Sequence, residues 1–173
     1  MPANTRSDVE LVAAAQSGER DAMDALYSRH APLVHAILLA RLPAADADDV
    51  LQEVFITAMT KLDTLREASA FAAWIARIAK NRAEDFRRST IETIELDERY
   101  ASRARQSESL EAARALDAIR QLPEAYRETL MLRLVEGMSG EEIAQRTGLT
   151  HGSVRVNLHR GMELLRASLG VSR

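Results

Sequence analysis

The chain has 173 residues, 46% of them hydrophobic, and a net charge of −3. That length holds one mid-sized domain or two small ones with an ordinary apolar core. The absence of cysteine excludes disulfides, thiolate metal sites and a cysteine nucleophile, and with the mild acidity tight stand-alone binding of nucleic acid is not expected.

Charge is nearly even along the chain: residues 1–88 carry a net −2, residues 89–108 a net −2 and residues 109–173 a net +1. Contact with nucleic acid has to come from small clusters. The first six residues lack the apolar stretch of a signal peptide. The longest apolar run, at residues 36–40, is far too short to cross a bilayer. A cytoplasmic protein with no membrane insertion is expected.

Apolar spacing is helical almost throughout. Asp8 is placed to cap a helix carrying Val9, Val12 and Ala15 that ends at Gly18. A segment with Met23, Leu26 and Tyr27 follows, and Pro32 is expected to start a fresh helix with Leu33, Val34, Ile37 and Leu38, ended by Pro43. Asp46 is placed to cap a helix with Val50, Val54, Ala58 and Leu62; Ser69 is placed to cap one with Phe71, Trp74, Ile75, Ile78 and Phe86.

Residues 89–108 are polar and charged and read as a linker. The one strand-like alternation, residues 93–97, lies within them. Helical period resumes at Leu110, Ala113 and Leu116. The expected fold is all-α: two small helical domains, residues 1–88 and 109–173, joined by a flexible linker, the C-terminal one a helix-turn-helix.

In the second domain, Ser139 followed by Glu142 has capping-box spacing. Gly148 suits the left-handed turn between two helices. Leu149 is expected to plug the core, and Thr150 to cap a second helix with Val154 and Leu158 inward. That leaves His151, Ser153, Arg155, Asn157, His159 and Arg160 outward, able to reach base edges or phosphates. A helical hairpin with a solvated polar face has the same pattern.

The run Leu122-Pro123-Glu124, Leu130 through Ser139, Glu141-Glu142-Ile143-Ala144, Gly148-Leu149-Thr150, Gly152-Ser153-Val154-Arg155, Leu158-His159-Arg160 and Leu164-Leu165-Arg166 resembles region 4 of the extracytoplasmic-function sigma factors. It covers about 50 residues. Response-regulator output domains share the turn but neither the Leu-Pro-Glu opening nor the Leu-His-Arg ending. The resemblance implies that this helix reads a −35 promoter element from the major groove. Three residues depart from the family: Gly140 where a larger residue is common, Gly161 where alanine is usual, and Val156 at an often polar position. The glycine at 161 is expected to cost about 1 kcal/mol of helix preference.

In the first domain, Asp49, Gln52 and Glu53 stand at i, i+3 and i+4 beside the apolar stripe of Val50 and Val54. Pattern alone also fits a solvated acidic helix start, which the helix dipole favours. Residues 77–88 hold five basic and two acidic side chains, and Arg77, Lys80, Asn81 and Arg88 can share one face able to track phosphates or displaced bases. A solvated surface helix fits equally well. Trp74, spaced with Phe71, Ile75 and Ile78, reads as core rather than a stacking platform.

These segments resemble sigma region 2. The resemblance implies that Asp49, Gln52 and Glu53 dock on the clamp of core RNA polymerase. It also implies that Arg77, Lys80, Asn81 and Arg88 bind the −10 element, and that the loop near residues 64–69 captures a flipped base. The implied partners are core RNA polymerase, promoter DNA and an anti-sigma factor. A 20-residue tether reaches at most about 65–70 Å, enough for promoter elements about 60 Å apart.

No catalytic residue, cofactor or metal is expected. A metal site built from Asp46, Asp48, Asp49 and Glu53 with His30 or His35 has only composition behind it. A sigma mimic that binds only an anti-sigma factor, and a plain helix-turn-helix regulator, are the alternative functions.

Overall fold

The structure is a computed structural model, and it describes residues 6–94 and 110–171. Eight α-helices make up the described chain. Helices α1 (Asp8–Gln16), α2 (Arg20–Leu39), α3 (Ala44–Thr60) and α4 (Phe71–Ile94) form the first set; α5 (Leu110–Arg120), α6 (Glu124–Leu134), α7 (Gly140–Thr147) and α8 (His151–Leu169) form the second. None is long and apolar enough to cross a membrane among the described residues.

Helix α2 is the spine of the first set. It buries Leu26, Leu33, Val34, Ile37 and Leu38. Leu11, Val12 and Ala15 of α1, Val50, Val54 and Phe55 of α3, and Phe71, Ile75 and Ala79 of α4 pack around it. Each large side chain removed from water in this way contributes about 1.5–3 kcal/mol.

That burial explains why Pro32 does not start a new helix, as the sequence suggested, but lies inside α2. Its missing N–H deprives the Ser28 carbonyl of a partner, and an interior proline costs roughly 3 kcal/mol. Ser28 is exposed, so water can serve that carbonyl. Apolar residues on both sides of the proline are buried by one continuous helix.

Three expected caps also shift. Ser7, not Asp8, caps α1, in a reciprocal capping box with Glu10. Asp8 turns inward to Arg29 at 2.7 Å and buried His30 at 2.9 Å. The His30 hydrogen bond, then Arg29, holds the Asp8 pKa down to about 2. Pro43 stands at the N-cap of α3, leaving Asp46 in the first turn. Ser69 lies in a short 3-10 turn before α4, 3.3 Å from the Glu67 carboxylate. Leu62, expected on α3, lies in another such turn.

Helix α4 continues through residues 89–94, which the sequence assigned to the linker. The rest of that stretch, including most of the strand-like alternation, lies outside the described residues.

In the second set Leu130, Met131 and Leu132 of α6, Ile143 of α7 and Val154 and Leu165 of α8 are buried, and α6 packs against α7, α8 and α2. The expected capping box is present: the Glu142 amide donates to the Ser139 hydroxyl and the Ser139 amide to the Glu142 carboxylate. Such a cap contributes about 1 kcal/mol. Gly148 has φ +73, the left-handed turn that a side chain would strain. Thr150 caps α8 by accepting from the Ser153 amide. Leu149 does not plug the core; it is 39% exposed, because the left-handed turn aims it outward.

Gly161 is buried where α8 crosses α6. A Cβ there would stand 3.0 Å from Leu130 Cδ1 and 3.2 Å from Tyr126 Cβ. The glycine lets two helices approach closely, so its helix-preference cost has a packing return. At Gly140 a Cβ would only touch Val154 at 3.9 Å.

Candidate nucleic-acid and partner interface

Helix α3 buries Val50 and Val54 and so turns Asp49, Gln52 and Glu53 to solvent along one face. Glu53 lies 3.4 Å from Arg82 of α4. Burial, then Asp49, pushes the neighbouring Asp46 carboxyl above its ordinary value. Ile56, one turn further along the same face, is 67% exposed. The metal arrangement does not assemble: His30 faces Asp8, His35 lies 3.5 Å from Asp48, and no metal-binding group of three or more His, Asp or Glu exists among the described residues.

At about 100° per residue, Arg77, Asn81 and Arg88 fall within about 40° of one another around α4, with Lys80 about 60° to one side. Arg77, Asn81 and Arg88 are exposed and Lys80 is half-buried. Asn81 lines a groove of about 490 Å³ between α3 and α4, with Ile56, Ile78 and Arg82. Arg77 and Lys80 line a cleft of about 460 Å³ against the second helix set, facing Glu128, Gln145 and Arg146. Arg88 pairs with Glu84 in its own helix. Trp74 is partly buried against the core, its ring 5.9 Å from Phe71.

The loop over residues 61–70 is pinned from beneath. Leu62 and Leu65 are buried, and the Gln16 side chain donates to both their carbonyls. Thr64, Arg66, Glu67 and Ser69 remain exposed on top. A loop held this way can present backbone and short polar groups without collapsing.

On α8, His151, Ser153, Arg155, His159 and Arg160 are exposed and Asn157 is half-buried. At about 100° per residue, the direction opposite Val154 and Leu158 falls on Gly152, Val156, His159 and Arg160. Ser153 is as near to that direction as His159, Arg155 and Asn157 lie to either side of it, and His151 falls nearer the buried pair. Val156, 42% exposed, is therefore central to this face, and its spacing from the buried pair was the available signal.

Sequence reasoning missed a set of contacts between the two helix sets. Glu124 and Glu128 of α6 both pair with Arg41 and Lys80. Glu136 lies 2.6 Å from His35. Arg120 donates to the Leu39 carbonyl at 2.9 Å, and Arg146 to the Arg29 carbonyl. No local pattern announces partners this far apart in the chain.

A helix that aims acidic and amide groups outward, a basic helix behind it, and a capped helix-turn-helix stand together among the described residues. The comparisons give the class. Sigma-70 region 2 matches residues 26–91 and Sigma-70 region 4 matches residues 112–165. The RNA polymerase sigma factor CarQ of Myxococcus xanthus is 34% identical, over 90% of this chain and 93% of its own. The ECF RNA polymerase sigma-E factor of Escherichia coli is 32% identical, with 92% of each chain covered. The solved structure of CnrH, in complex with the cytosolic domain of CnrY, has a TM-score of 0.61 and 30% identity, covering 96% of this chain and 99% of that one.

The chain belongs to the extracytoplasmic-function RNA polymerase sigma factors. Members of this family are initiation subunits rather than enzymes; they bring core RNA polymerase to specific promoters.

Proposed function

We propose that residues 1–88 bind core polymerase and the −10 element, and that residues 109–173 bind the −35 element, with residues 89–108 between them. Asp49, Gln52 and Glu53 meet the basic clamp surface of core polymerase. Arg77, Lys80, Asn81 and Arg88 contact the −10 element. His151, Ser153, Arg155, Asn157, His159 and Arg160 contact the −35 element. The observation that carries this reading is the outward face of α8, docked through Val154 and Leu165 and capped so that its N-terminal turn is free to enter a major groove.

Mild acidity suits the assignment. A factor with few phosphate contacts binds DNA weakly alone, and polymerase supplies the effective concentration that makes both contacts count. The chain acts in the cytoplasm, where polymerase is. An anti-sigma factor restrains it by covering its polymerase-binding surfaces; the similar chain CnrH is likewise held by a second protein, the cytosolic domain of CnrY.

Run-off transcription tests the assignment. Core polymerase with this protein, on fragments beginning upstream of its own gene, should yield start sites absent without it. Polymerase binding without transcripts would favour a sigma mimic. Loss of both would leave a helix-turn-helix regulator.

A further inference from the structure

Lys80 is the one −10 candidate whose charged end is engaged by the other helix set. Its ammonium lies 2.9 Å from Glu128 and 3.2 Å from Glu124. These glutamates stand four residues apart on α6, the spacing that puts two side chains on one helix face. Arg41, in the turn after α2, closes the cluster, reaching Glu128 at 2.6 Å and Glu124 at 2.5 Å. Two cations and two carboxylates thus form one network, and the Lys80 hydrogen bond lowers the Glu124 pKa. A carboxylate and a DNA phosphate are both oxyanions that accept from the same ammonium protons. With two of its three protons directed at Glu124 and Glu128, Lys80 has its charge largely neutralised before any phosphate arrives.

The contrast with α8 is informative. Most of the −35 candidates are exposed in this arrangement. The same packing also brings α2 and α4 against α6 and α7, whereas promoter elements lie about 60 Å apart. The closed chain can offer one DNA-reading helix but cannot span both elements.

We propose that Glu124 and Glu128 act as an intramolecular phosphate mimic: they lock the two domains together by occupying Lys80 and Arg41, and the lock must open before Lys80 can contact promoter DNA. The lock needs no second protein. It rests on the −10 assignment of Lys80 made above.

The chain has no cysteine, so cysteines introduced at exposed Ala13 and Ala167 are unique sites for a donor and acceptor dye. The full-length Glu124→Gln/Glu128→Gln variant should show lower energy transfer than the otherwise native labelled chain. It should also bind a fluorescent mixed-sequence single-stranded DNA roughly fivefold or more tightly, as the competent fraction rises. Glu111→Gln/Glu141→Gln, with the same net charge and exposed side chains in the same domain, should do neither. Adding Lys80→Ala should remove the gain in DNA binding.

Circular dichroism checks that each variant is folded. Unchanged energy transfer would overturn the lock. Lower transfer with no Lys80-dependent gain in affinity would overturn the masking of DNA binding. Failure of the native chain to direct run-off transcription would instead strike the functional reading, and would leave both of these measurements standing.

Discussion

His35 Nδ1 and Glu136 Oε1 lie 2.6 Å apart, joining α2 to the turn between α6 and α7. The Glu136 hydrogen bond, and then the charges of Glu136 and Asp48, raise the His35 pKa against an opposing effect of burial. A raised folded-state pKa means that protonated His35 favours the closed packing. The contribution is complete below the ordinary imidazole pKa of about 6.5 and is lost as pH rises through the higher folded value.

Interdomain energy transfer in the labelled chain should therefore fall as pH rises from about 6.5 through the higher folded value. In His35→Asn the fall should be smaller. An identical pH profile in the two chains would remove His35 from the contact.

Gly161→Ala sets two effects against each other. Alanine gains about 1 kcal/mol of helix preference. Its Cβ would meet Leu130, fully buried, and Tyr126 at 3.0–3.2 Å, and overpacking costs about 1–3 kcal/mol. Leu130 has no solvent to move into. The expected net result is a loss of about 1 kcal/mol in denaturant unfolding; a more stable variant would show that α6 and α8 can separate by a few tenths of an ångström.

Asp49→Arg reverses a charge on an exposed residue. The fold should survive, because neither the α3 core stripe nor its N-terminal turn changes. Affinity for core polymerase should fall about tenfold or more if Asp49 faces a basic clamp. Equilibrium binding with labelled core polymerase measures this, and Glu111→Arg on α5 is the matched control. Equal affinities for both variants would take Asp49 out of the polymerase surface.

Val156 is expected to touch an apolar group of the DNA, and the thymine methyl is the one the major groove displays. Val156→Asn should change base preference at one −35 position, by about 1–3 kcal/mol of discrimination. Transcription from a promoter library randomised at −35 reads the change directly. An unaltered preference with native activity would place Val156 over the backbone or between contacts.

Local chemistry is legible in the residues themselves. The Ser139 capping box, the left-handed Gly148 and the Thr150 cap act within four residues of themselves, so the sequence alone located α7, the turn and α8. The Val50 and Val54 stripe likewise determined that Asp49, Gln52 and Glu53 face outward. The residue pattern around them was enough to point to regions 2 and 4.

What only the tertiary structure decided lies beyond that range. Pro32 sits inside α2 because buried neighbours on both sides outweigh a lost hydrogen bond, and local rules carry no term for that burial. Asp8 reaches back to Arg29 and His30 instead of capping its helix, since Ser7 already does so. Gly161 became a close-approach residue only when α6 lay beneath it. His35 and Glu136 are 101 residues apart in sequence, and Lys80 and Glu124 are 44 apart; no periodicity links such pairs. Charge pairing across a domain boundary depends on where the packed helices bring their surfaces, and the packing of every helix together sets that.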